Sequence, residues 1–398
     1  MKRPVAIVGV GQTPYRTSRP EVSAPELVFE AVRNAYAHAN AGPADVDAIV
    51  FASAPEVFEG VNEPDRWCTE AVGGVGKPVL RIHTGGATGG SAALAGADLV
   101  ASGRFGSVLV VAMQRVAESP SAQQIFTTIF DPVYESDVQL NVITAVALVA
   151  SRQLEHKTID EDQMDWVSEK NHSAGAKNPY SHLRRPMTRD EVRTSRMIAS
   201  PLRLLHCCPR SDGACAVLLM GAERAKKFRR AAWIRGTGSA ADVYRLGDRI
   251  NDMGYELYDT RALEWAAGKA YRDAGITSPR RDIDVVELYA PFANLEIANY
   301  EALGLAPRGR GADLVDERAT ELGGDIPVCP SGGPMTSNPI GATGLVRVAE
   351  AALQVMNDAG EHQVEGATVA VATAAGGINQ FATVAVLDAS IDGSLGAR

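Results

Sequence analysis

A tyrosine follows an apolar run in the second half of the chain, at a place where a ligand could meet it. Tyr289 comes directly after residues 285–288 (VVEL), which are typical of a β-strand. Ligand crevices of α/β sheets form at the carboxyl ends of strands. A free phenol has a pKa of about 10, so Tyr289 could give a proton, or take one with help from a neighbouring donor or dipole. A tyrosine that only packs at the strand end is the alternative.

An amide and two glycines could bind the oxygen of a carbonyl group. Asn338, which precedes Pro339, has an amide that donates hydrogen bonds without titrating. It could instead cap the helix that begins after Pro339. The backbone N–H groups of Gly376 and Gly377 could form a second oxyanion hole, or the two glycines could serve a tight turn.

One histidine and five cysteines are the other groups that could react. His83 follows an apolar run and could act as a general base, although a lone histidine at a strand end is more often a packed or hydrogen-bonded residue of the core. The cysteines show no paired metal spacing and are odd in number, which predicts free thiols in a reducing compartment and no metal site. We predict that the adjacent pair Cys207 and Cys208 is buried for structural reasons. The five are Cys68, Cys207, Cys208, Cys215 and Cys329.

Charge and hydropathy limit the partners. The formal net charge is −9, so there is no basic field to hold a nucleic acid. An arginine-rich stretch could meet phosphates through paired donors, but a solvated surface is the favoured interpretation. No apolar run approaches the ~20 residues that span a bilayer, and the start of the chain is typical of a first strand and not of a signal peptide. These features predict a cytoplasmic protein without membrane contact. The arginines are Arg184, Arg185, Arg189, Arg193 and Arg196.

The chain repeats one pattern in its two halves. A helical pattern at 31–36 leads through an acidic turn to an apolar strand ending at residue 51, and residues 266–271 lead likewise to a strand ending at residue 288. Glycine-rich turns then open a helix in each half, at 84–94 and 337–345. Because strands alternate with helices, we expect mainly parallel sheets with helices on their faces.

Residues from about 115 to 200 depart from this alternation and are interpreted as an inserted loop domain. Thr158 and Glu161 have the spacing of a capping box, so a helix is predicted to begin after Thr158 and to run towards Asn171. A length of 398 residues allows two core-forming domains. We predict an N-terminal lobe over 1–230 and a C-terminal lobe over 231–398.

Two strings, together with the duplicated pattern, resemble the thiolase superfamily. They are CCPRSDGA at 207–214 and NPIGATG at 338–344, and the second matches the family's His-Pro-x-Gly-Ala-Thr/Ser-Gly turn in every place but the first. The resemblance is strongest to the sterol-carrier-protein type of thiolase. It implies an α/β thiolase fold, in which duplicated βαβαβ lobes form a five-layer αβαβα sandwich with an inserted loop domain.

The same resemblance puts other residues at the positions of the thiolase cysteines. Ala87 falls at the nucleophile, Pro291 at a second cysteine, and Ala375 at the cysteine of the C-terminal Cys-x-Gly. Tyr289 stands where thiolases carry Asn or His, and Asn338 replaces the histidine of the His-Pro turn. His83 lies near the vacated Ala87 position. A chain without these cysteines cannot form the acyl-enzyme of a thiolase at those positions.

This pattern is similar to that of the thiolase-fold steroid side-chain aldolases, which carry a tyrosine at the position of Tyr289. Their second tyrosine near the His-Pro turn has no counterpart here. The resemblance implies an acyl-CoA lyase, with retro-aldol cleavage of a β-hydroxyacyl-CoA that bears a steroid or other polycyclic side chain. The products would be a ketone or aldehyde and a shorter acyl-CoA such as propionyl-CoA or acetyl-CoA.

The implied partners are the acyl-CoA substrate, a second copy in a homodimer and a small OB-fold subunit, and no cofactor is implied. Retro-aldol cleavage needs only a base for the β-hydroxyl proton and an oxyanion hole for the thioester enolate. Two alternatives remain: a Claisen-type acyltransferase with an unrecognised nucleophile, and a noncatalytic acyl-CoA-binding subunit of a larger complex.

Overall fold

A computed structural model describes residues 3–138, 140–250 and 254–391. The strands in these ranges are β1 (Val5–Gln12), β2 (Ala48–Ala52), β3 (Val79–Ile82), β4 (Ser107–Gln114), β5 (Met197–Ala199), β6 (Leu202–Arg203), β7 (Gly213–Gly221), β8 (Ala232–Ala241), β9 (Val285–Glu287), β10 (Val369–Gly376) and β11 (Phe381–Asp388). The α-helices are α1 (Ala24–Ala39), α2 (Pro64–Cys68), α3 (Thr88–Ala101), α4 (Ala122–Thr127), α5 (Val142–Glu155), α6 (Glu161–Gly175), α7 (Arg189–Thr194), α8 (Ala222–Ala225), α9 (Arg261–Ala274), α10 (Pro279–Asp282), α11 (Ala293–Ala302), α12 (Asp313–Asp316), α13 (Gly333–Thr336) and α14 (Ile340–Val355).

Nine strands form a continuous sheet in the order β3-β2-β4-β7-β1-β8-β11-β10-β9. A short antiparallel pairing of β1 with β8 joins the strands of the first half to those of the second. The pairs β2–β3, β2–β4 and β9–β10 are parallel, and the other five pairs are antiparallel. The expectation of mainly parallel sheets was therefore wrong, because β7 and β11 each run opposite to the other strands of their half, and the two halves meet through the antiparallel pair β1–β8.

The strands are buried on both faces, which produces five layers. Along β1, Ala6 and Val8 face a core shared with α1, whereas Val5 and Ile7 face a middle core shared with α3 and α14. In the second half, Val371 of β10 faces a third core that includes residues of α6, α9 and α11. Since side chains alternate across a strand, each half of the sheet is covered by helices on both sides. This is the predicted thiolase fold.

The two central helices begin side by side because glycines allow their backbones to touch. A Cβ added at Gly344 of α14 would lie 2.5 Å from the backbone nitrogen of Gly90 in α3. A Cβ added at Gly89 would lie 2.4 Å from the backbone nitrogen of Leu345. No side chain fits at such distances. The N-terminal ends of α3 and α14 therefore meet between the halves of the sheet.

The segment predicted as an insertion contains helices α4 to α7 and lies between β4 and β7. Its helix α6 begins two residues later than predicted. Asp160, not Thr158, is the N-cap: its carboxylate accepts from the Gln163 N–H at 2.8 Å, and the Gln163 side chain accepts from the Asp160 N–H. Thr158 instead donates to the carbonyl of Gln153 at 3.3 Å. The division of the chain at residue 230 stays a prediction.

Within the described ranges, no helix combines the length and the apolar character that crossing a membrane requires.

Candidate active site

Tyr289 lies just beyond the carboxyl end of β9, as predicted. Its backbone N–H donates to Thr373 Oγ1 of the adjacent strand β10 at 2.9 Å, which fixes the chain where the two parallel strands end. The side chain is only 4% exposed. It points towards the start of α14, where its hydroxyl donates to Asn338 Oδ1 at 3.2 Å and approaches the Ile340 carbonyl at 3.4 Å.

The Asn338 amide is held by three side chains. Its Oδ1 accepts from the hydroxyls of Tyr289 and Thr343, the latter at 2.8 Å, and its Nδ2 donates to Cys208 Sγ at 3.0 Å. In this arrangement the amide oxygen faces the two hydroxyls and the amide nitrogen faces the sulfur. No side chain in the described ranges caps the backbone at the start of α14, so the capping interpretation of Asn338 was wrong. Among the described residues, the second Nδ2 hydrogen has no partner.

Burial sets the protonation of this cluster. Removal from water raises the pKa of Tyr289 well above that of a free phenol, the neighbouring Cys208 raises it further, and the hydrogen bond with Thr343 acts in the opposite sense. Burial likewise raises the pKa of the Cys208 thiol to about 11, although the Asn338 amide opposes the shift. At neutral pH the tyrosine is therefore a protonated hydrogen-bond donor and the cysteine a neutral thiol.

The glycine-rich loop before α3 closes the site from the first half of the chain. Ala87 is the N-cap of α3, is fully buried, and packs with Tyr289 and Ala374. A Cβ added at Gly86 would lie 2.6 Å from the Ala375 carbonyl oxygen and 3.4 Å from the Tyr289 hydroxyl. A Cβ added at Gly376 would lie 2.7 Å from the Ala87 nitrogen. The fold thus brings these predicted residues to one place.

Pro291 reaches the same site through the segment that contains Cys208. The Pro291 carbonyl accepts from the Cys208 N–H at 2.9 Å. Farther along this segment, Ser211 Oγ accepts from the Asn338 N–H at 3.1 Å and shares a hydrogen bond of 3.0 Å with His182 Nδ1. We predicted that Cys208 is buried, but it is only half-buried. It contacts Asn338, a candidate catalytic residue. The string CCPRSDGA was the available signal, but it was interpreted only as a mark of the family.

His83 and Gly377 occupy the margin of the site. His83 is exposed and follows β3, the outermost strand of the sheet, so it is not the packed core residue that a lone histidine usually is. Gly377 follows β10 and has a φ of +59°, which agrees with the tight-turn interpretation. The oxyanion roles of Gly376 and Gly377 stay predictions.

A narrow cavity is lined by Tyr289 together with Leu263, Thr373, Ala374, Ala375 and Asn379. A larger depression of about 560 Å³ lies at the opposite end of β9, around Arg280, Asp284 and Val364, and contains none of the predicted site residues. In the parts of the chain that the structure describes, no three His, Cys, Asp or Glu side chains are grouped to hold a metal ion.

The arginine-rich stretch is mostly engaged with carboxylates. Arg185 pairs with Glu191 at 2.7 Å and Arg189 with Glu169 at 3.2 Å. Arg193 pairs with carboxylates at the start of α6. Arg184 and Arg196 are exposed. These contacts agree with the interpretation of the stretch as a solvated surface.

The five layers and the paired starts of α3 and α14 define a thiolase-fold protein. Comparison with family models agrees: residues 5–223 match the model described as "Thiolase, N-terminal domain" and residues 249–389 match "Thiolase C-terminal domain-like". The chain belongs to the thiolase family and is similar to its sterol-carrier-protein members.

Two relatives illustrate the similarity. Acetyl-CoA acetyltransferase from Methanothermobacter thermautotrophicus is 30% identical over 385 residues, which cover 96% of this chain and 98% of that protein. Sterol carrier protein 2 from Homo sapiens is 30% identical over 389 residues, 93% of this chain and 69% of that protein.

Solved structures share the fold. The Ltp2-ChsH2(DUF35) aldolase superposes with a TM-score of 0.81 at 24% identity and covers 97% of this chain and 98% of its own. A monomeric SCP2-thiolase like protein type 1 from Mycobacterium smegmatis superposes with a TM-score of 0.74 at 20% identity, over 98% of this chain and 78% of its own.

Proposed function

We propose that this protein is an acyl-CoA lyase that cleaves a β-hydroxyacyl-CoA by a retro-aldol reaction. The products would be a ketone or aldehyde and a shorter acyl-CoA, such as propionyl-CoA or acetyl-CoA. A steroid or other polycyclic side chain is the proposed substrate class. The proposal is supported by the name of one solved structure of the same fold, the Ltp2-ChsH2(DUF35) aldolase.

The observation that carries the proposal is the hydrogen bond between Tyr289 and Asn338 at a site without thiolase cysteines. The positions that would bear the sulfur nucleophiles are Ala87, Pro291 and Ala375. What remains is a buried phenol, which stays protonated at neutral pH because burial raises its pKa, beside an amide with one N–H that has no partner among the described residues. These groups suit a reaction that makes an enolate without an acyl-enzyme.

In the proposed reaction a base takes the β-hydroxyl proton, and the electrons of that O–H bond form the new carbonyl. The Cα–Cβ bond breaks, and its electron pair passes to the thioester as an enolate. Asn338 and the backbone of Gly376 and Gly377 would stabilise the enolate oxygen. Tyr289 would protonate Cα and regain its proton from the base, for which the candidate is the imidazole of His83. The step is redox-neutral and needs no co-reactant.

Replacement of the Tyr289 hydroxyl tests the proposal. Tyr289→Phe should lower the cleavage rate ~10²–10⁴-fold, since that is the usual contribution of a general acid or base, while acyl-CoA affinity stays nearly unchanged. A purely structural hydrogen bond would be worth only about 0.5–1.5 kcal/mol of stability. Cleavage of a β-hydroxyacyl-CoA would be followed by chromatography of both products, and binding by calorimetry.

Tyr271→Phe is the matched control, because Tyr271 is also buried but donates to the Leu303 carbonyl outside the site. It should retain normal turnover. If a folded Tyr289→Phe protein keeps more than roughly a tenth of the activity, Tyr289 is not the catalytic group. His83 is then the next candidate for that group.

A Claisen-type acyltransferase is the second candidate, and Cys208 is the observation that favours it. Its sulfur contacts Asn338, so it could in principle accept an acyl group. The raised pKa of this thiol argues against a nucleophile. Cys208→Ala separates the candidates: a lyase should keep most of its turnover, whereas an acyltransferase using Cys208 should lose it together with the acyl-enzyme seen by mass spectrometry.

The proposed assembly is a homodimer that binds a small OB-fold subunit. The partner proposal is supported by the composite name of the Ltp2-ChsH2(DUF35) structure. Turnover by the chain alone should be low and should rise when the partner is added, and full turnover without it would contradict this. Acyl-CoA binding without cleavage, even with the partner present, would favour a noncatalytic subunit.

A further inference from the structure

The turn between β10 and β11 has an unusual backbone. Gly377, Ile378 and Asn379 have φ values of +59°, +50° and +62° in succession. Glycine adopts this left-handed conformation without penalty and asparagine tolerates it, but a β-branched residue such as isoleucine rarely does. Contacts from outside the turn must therefore hold it in this conformation.

Arg249 supplies those contacts. Its side chain is buried, with the residue 8% exposed. One guanidinium nitrogen donates to the Ile378 carbonyl, and another donates to the Gly377 carbonyl at 3.4 Å. The remaining bonds, also of 3.4 Å, go to the carbonyls of Val243 and Tyr244. The guanidinium thus joins the 243–249 loop to the turn.

Arg249 forms no ion pair among the residues that the structure describes. The nearby carboxylate of Asp242 is bonded instead to the guanidinium of Arg261, with Nε at 3.0 Å. A buried cation that has only carbonyl partners is costly to maintain for packing alone. Its geometry, a planar fork with several donors, suits it to fixing two backbone segments relative to each other.

The turn reaches the candidate active site. A Cβ added at Gly85 of the glycine-rich loop would lie 3.7 Å from the Gly377 nitrogen. Asn379 and Tyr289 both line the narrow cavity. A displacement of the turn would therefore move the Gly377 N–H and the cavity wall together.

We infer that Arg249 is a positioning residue, which holds the 377–379 turn so that the Gly377 N–H points at the enolate oxygen. This inference rests on the proposed lyase function for its catalytic consequence, but not for the positioning itself. A misplaced oxyanion donor lowers the rate of the chemical step more than it weakens substrate binding.

The experiment compares Arg249→Met and Arg249→Lys with Arg245→Met. Arg245 is the matched control because it lies in the same loop. Its guanidinium stacks over the Tyr134 ring and pairs with Asp248, and neither of these residues belongs to the turn. Hydrogen–deuterium exchange of a peptide covering 376–382 should become at least about tenfold faster in both Arg249 variants and stay unchanged in Arg245→Met. In the presence of the partner subunit, kcat should fall about 10–10³-fold with little change in KM.

Chemical rescue separates positioning from general damage. Guanidinium chloride at non-denaturing concentration should restore part of kcat to Arg249→Ala and none to Tyr289→Phe. Unchanged exchange in the Arg249 variants would overturn the positioning role. Faster exchange with unchanged kcat would overturn its catalytic consequence. If wild-type protein with its partner cleaves no β-hydroxyacyl-CoA, the proposed lyase function fails, and the exchange data still decide whether Arg249 holds the turn.

Discussion

Tyr289, Asn338, Thr343 and Cys208 form one connected set of hydrogen bonds. Two hydroxyls donate to the amide oxygen, and the amide nitrogen donates to the sulfur. The histidine that thiolases carry at the Asn338 position could accept as well as donate through its ring nitrogens. The asparagine presents its oxygen to Tyr289 and one free N–H to the site. The substitution keeps a donor for an oxyanion and gives the phenol an acceptor.

A cysteine restored at Ala87 should not convert the protein to a thiolase. The position is the N-cap of α3, and a helix N-terminus would lower the pKa of a thiol placed there. However, Tyr289, Pro291, Asn338 and Ala375 also differ from the thiolase set, and catalytic residues that act as a unit are strongly non-additive. We expect Ala87→Cys to show no thiolysis of acetoacetyl-CoA above background in an assay of CoA consumption. Thiolysis at the rate of an ordinary thiolase would show that the other positions do not matter.

Part of the site could be predicted from the sequence. The strand before Tyr289 and the turn after Asn338 placed both residues at element ends, and the fold brings them within hydrogen-bonding distance. The direction of the Asn338 amide could not be predicted, because it depends on Thr343 and Cys208, which reach it from different elements. Arg249 was missed for the same reason. Its partners are backbone carbonyls, which leave no signature in side-chain types.

At the scale of elements, the start of α6 shows how local capping signals compete. Thr158 with Glu161 and Asp160 with Gln163 both have the spacing of a capping box. The second pair forms the capping box, and aspartate is at least as good an N-cap as threonine. The Thr158 hydroxyl is also bonded to the preceding helix through Gln153. Thr158 thus bonds to the end of α5 and Asp160 caps α6, although the sequence presents the two patterns equally.

Asp160→Ala should lower stability by about 1 kcal/mol, the usual loss for an N-cap. Thr158→Ala removes a single long hydrogen bond and should cost less. The apparent midpoint of urea unfolding, followed by circular dichroism, would compare the two variants with the wild type. A larger loss in Thr158→Ala than in Asp160→Ala would contradict the assignment of the cap.

At the scale of the whole molecule, the resemblance to thiolases predicted the five layers, and the duplicated helix–strand pattern predicted helices on the faces of the sheet. Strand direction was harder to predict. The reversed strands β7 and β11 are apolar like the others, and hydrophobic patterning does not encode direction when both faces are buried. Buried polar groups then join the parts: Glu350 of α14 accepts from Gln12 of β1 at 2.8 Å and from Asn178 of the inserted segment at 3.1 Å.

The free edge of the sheet at β3 is where we expect two copies to meet. Among the described residues, no strand pairs with the outer edge of β3, and such an edge favours pairing with another strand. Apolar side chains are exposed beside it: Val75 is 70% and Leu80 39% exposed. Trp67 of α2 is also exposed, and the pair of Arg81 with Asp65 at 3.7 Å holds α2 next to β3. A two-fold axis at this edge would cover the patch on both copies.

Charge introduced at this edge should separate the copies. Wild-type protein should have the mass of two chains in light scattering at micromolar concentration. Stable interfaces between proteins typically bury about 1,600 Å² in total. Val75→Lys combined with Leu80→Lys should give the mass of one chain, since facing lysines in a symmetric interface repel each other and lose their hydration. Val133→Lys is the control: Val133 is equally exposed, at 70%, but lies in a loop after α4, and its replacement should leave the dimer intact. A wild-type monomer would contradict the proposed dimer. A dimer that persists with both lysines at β3 would place the contact elsewhere.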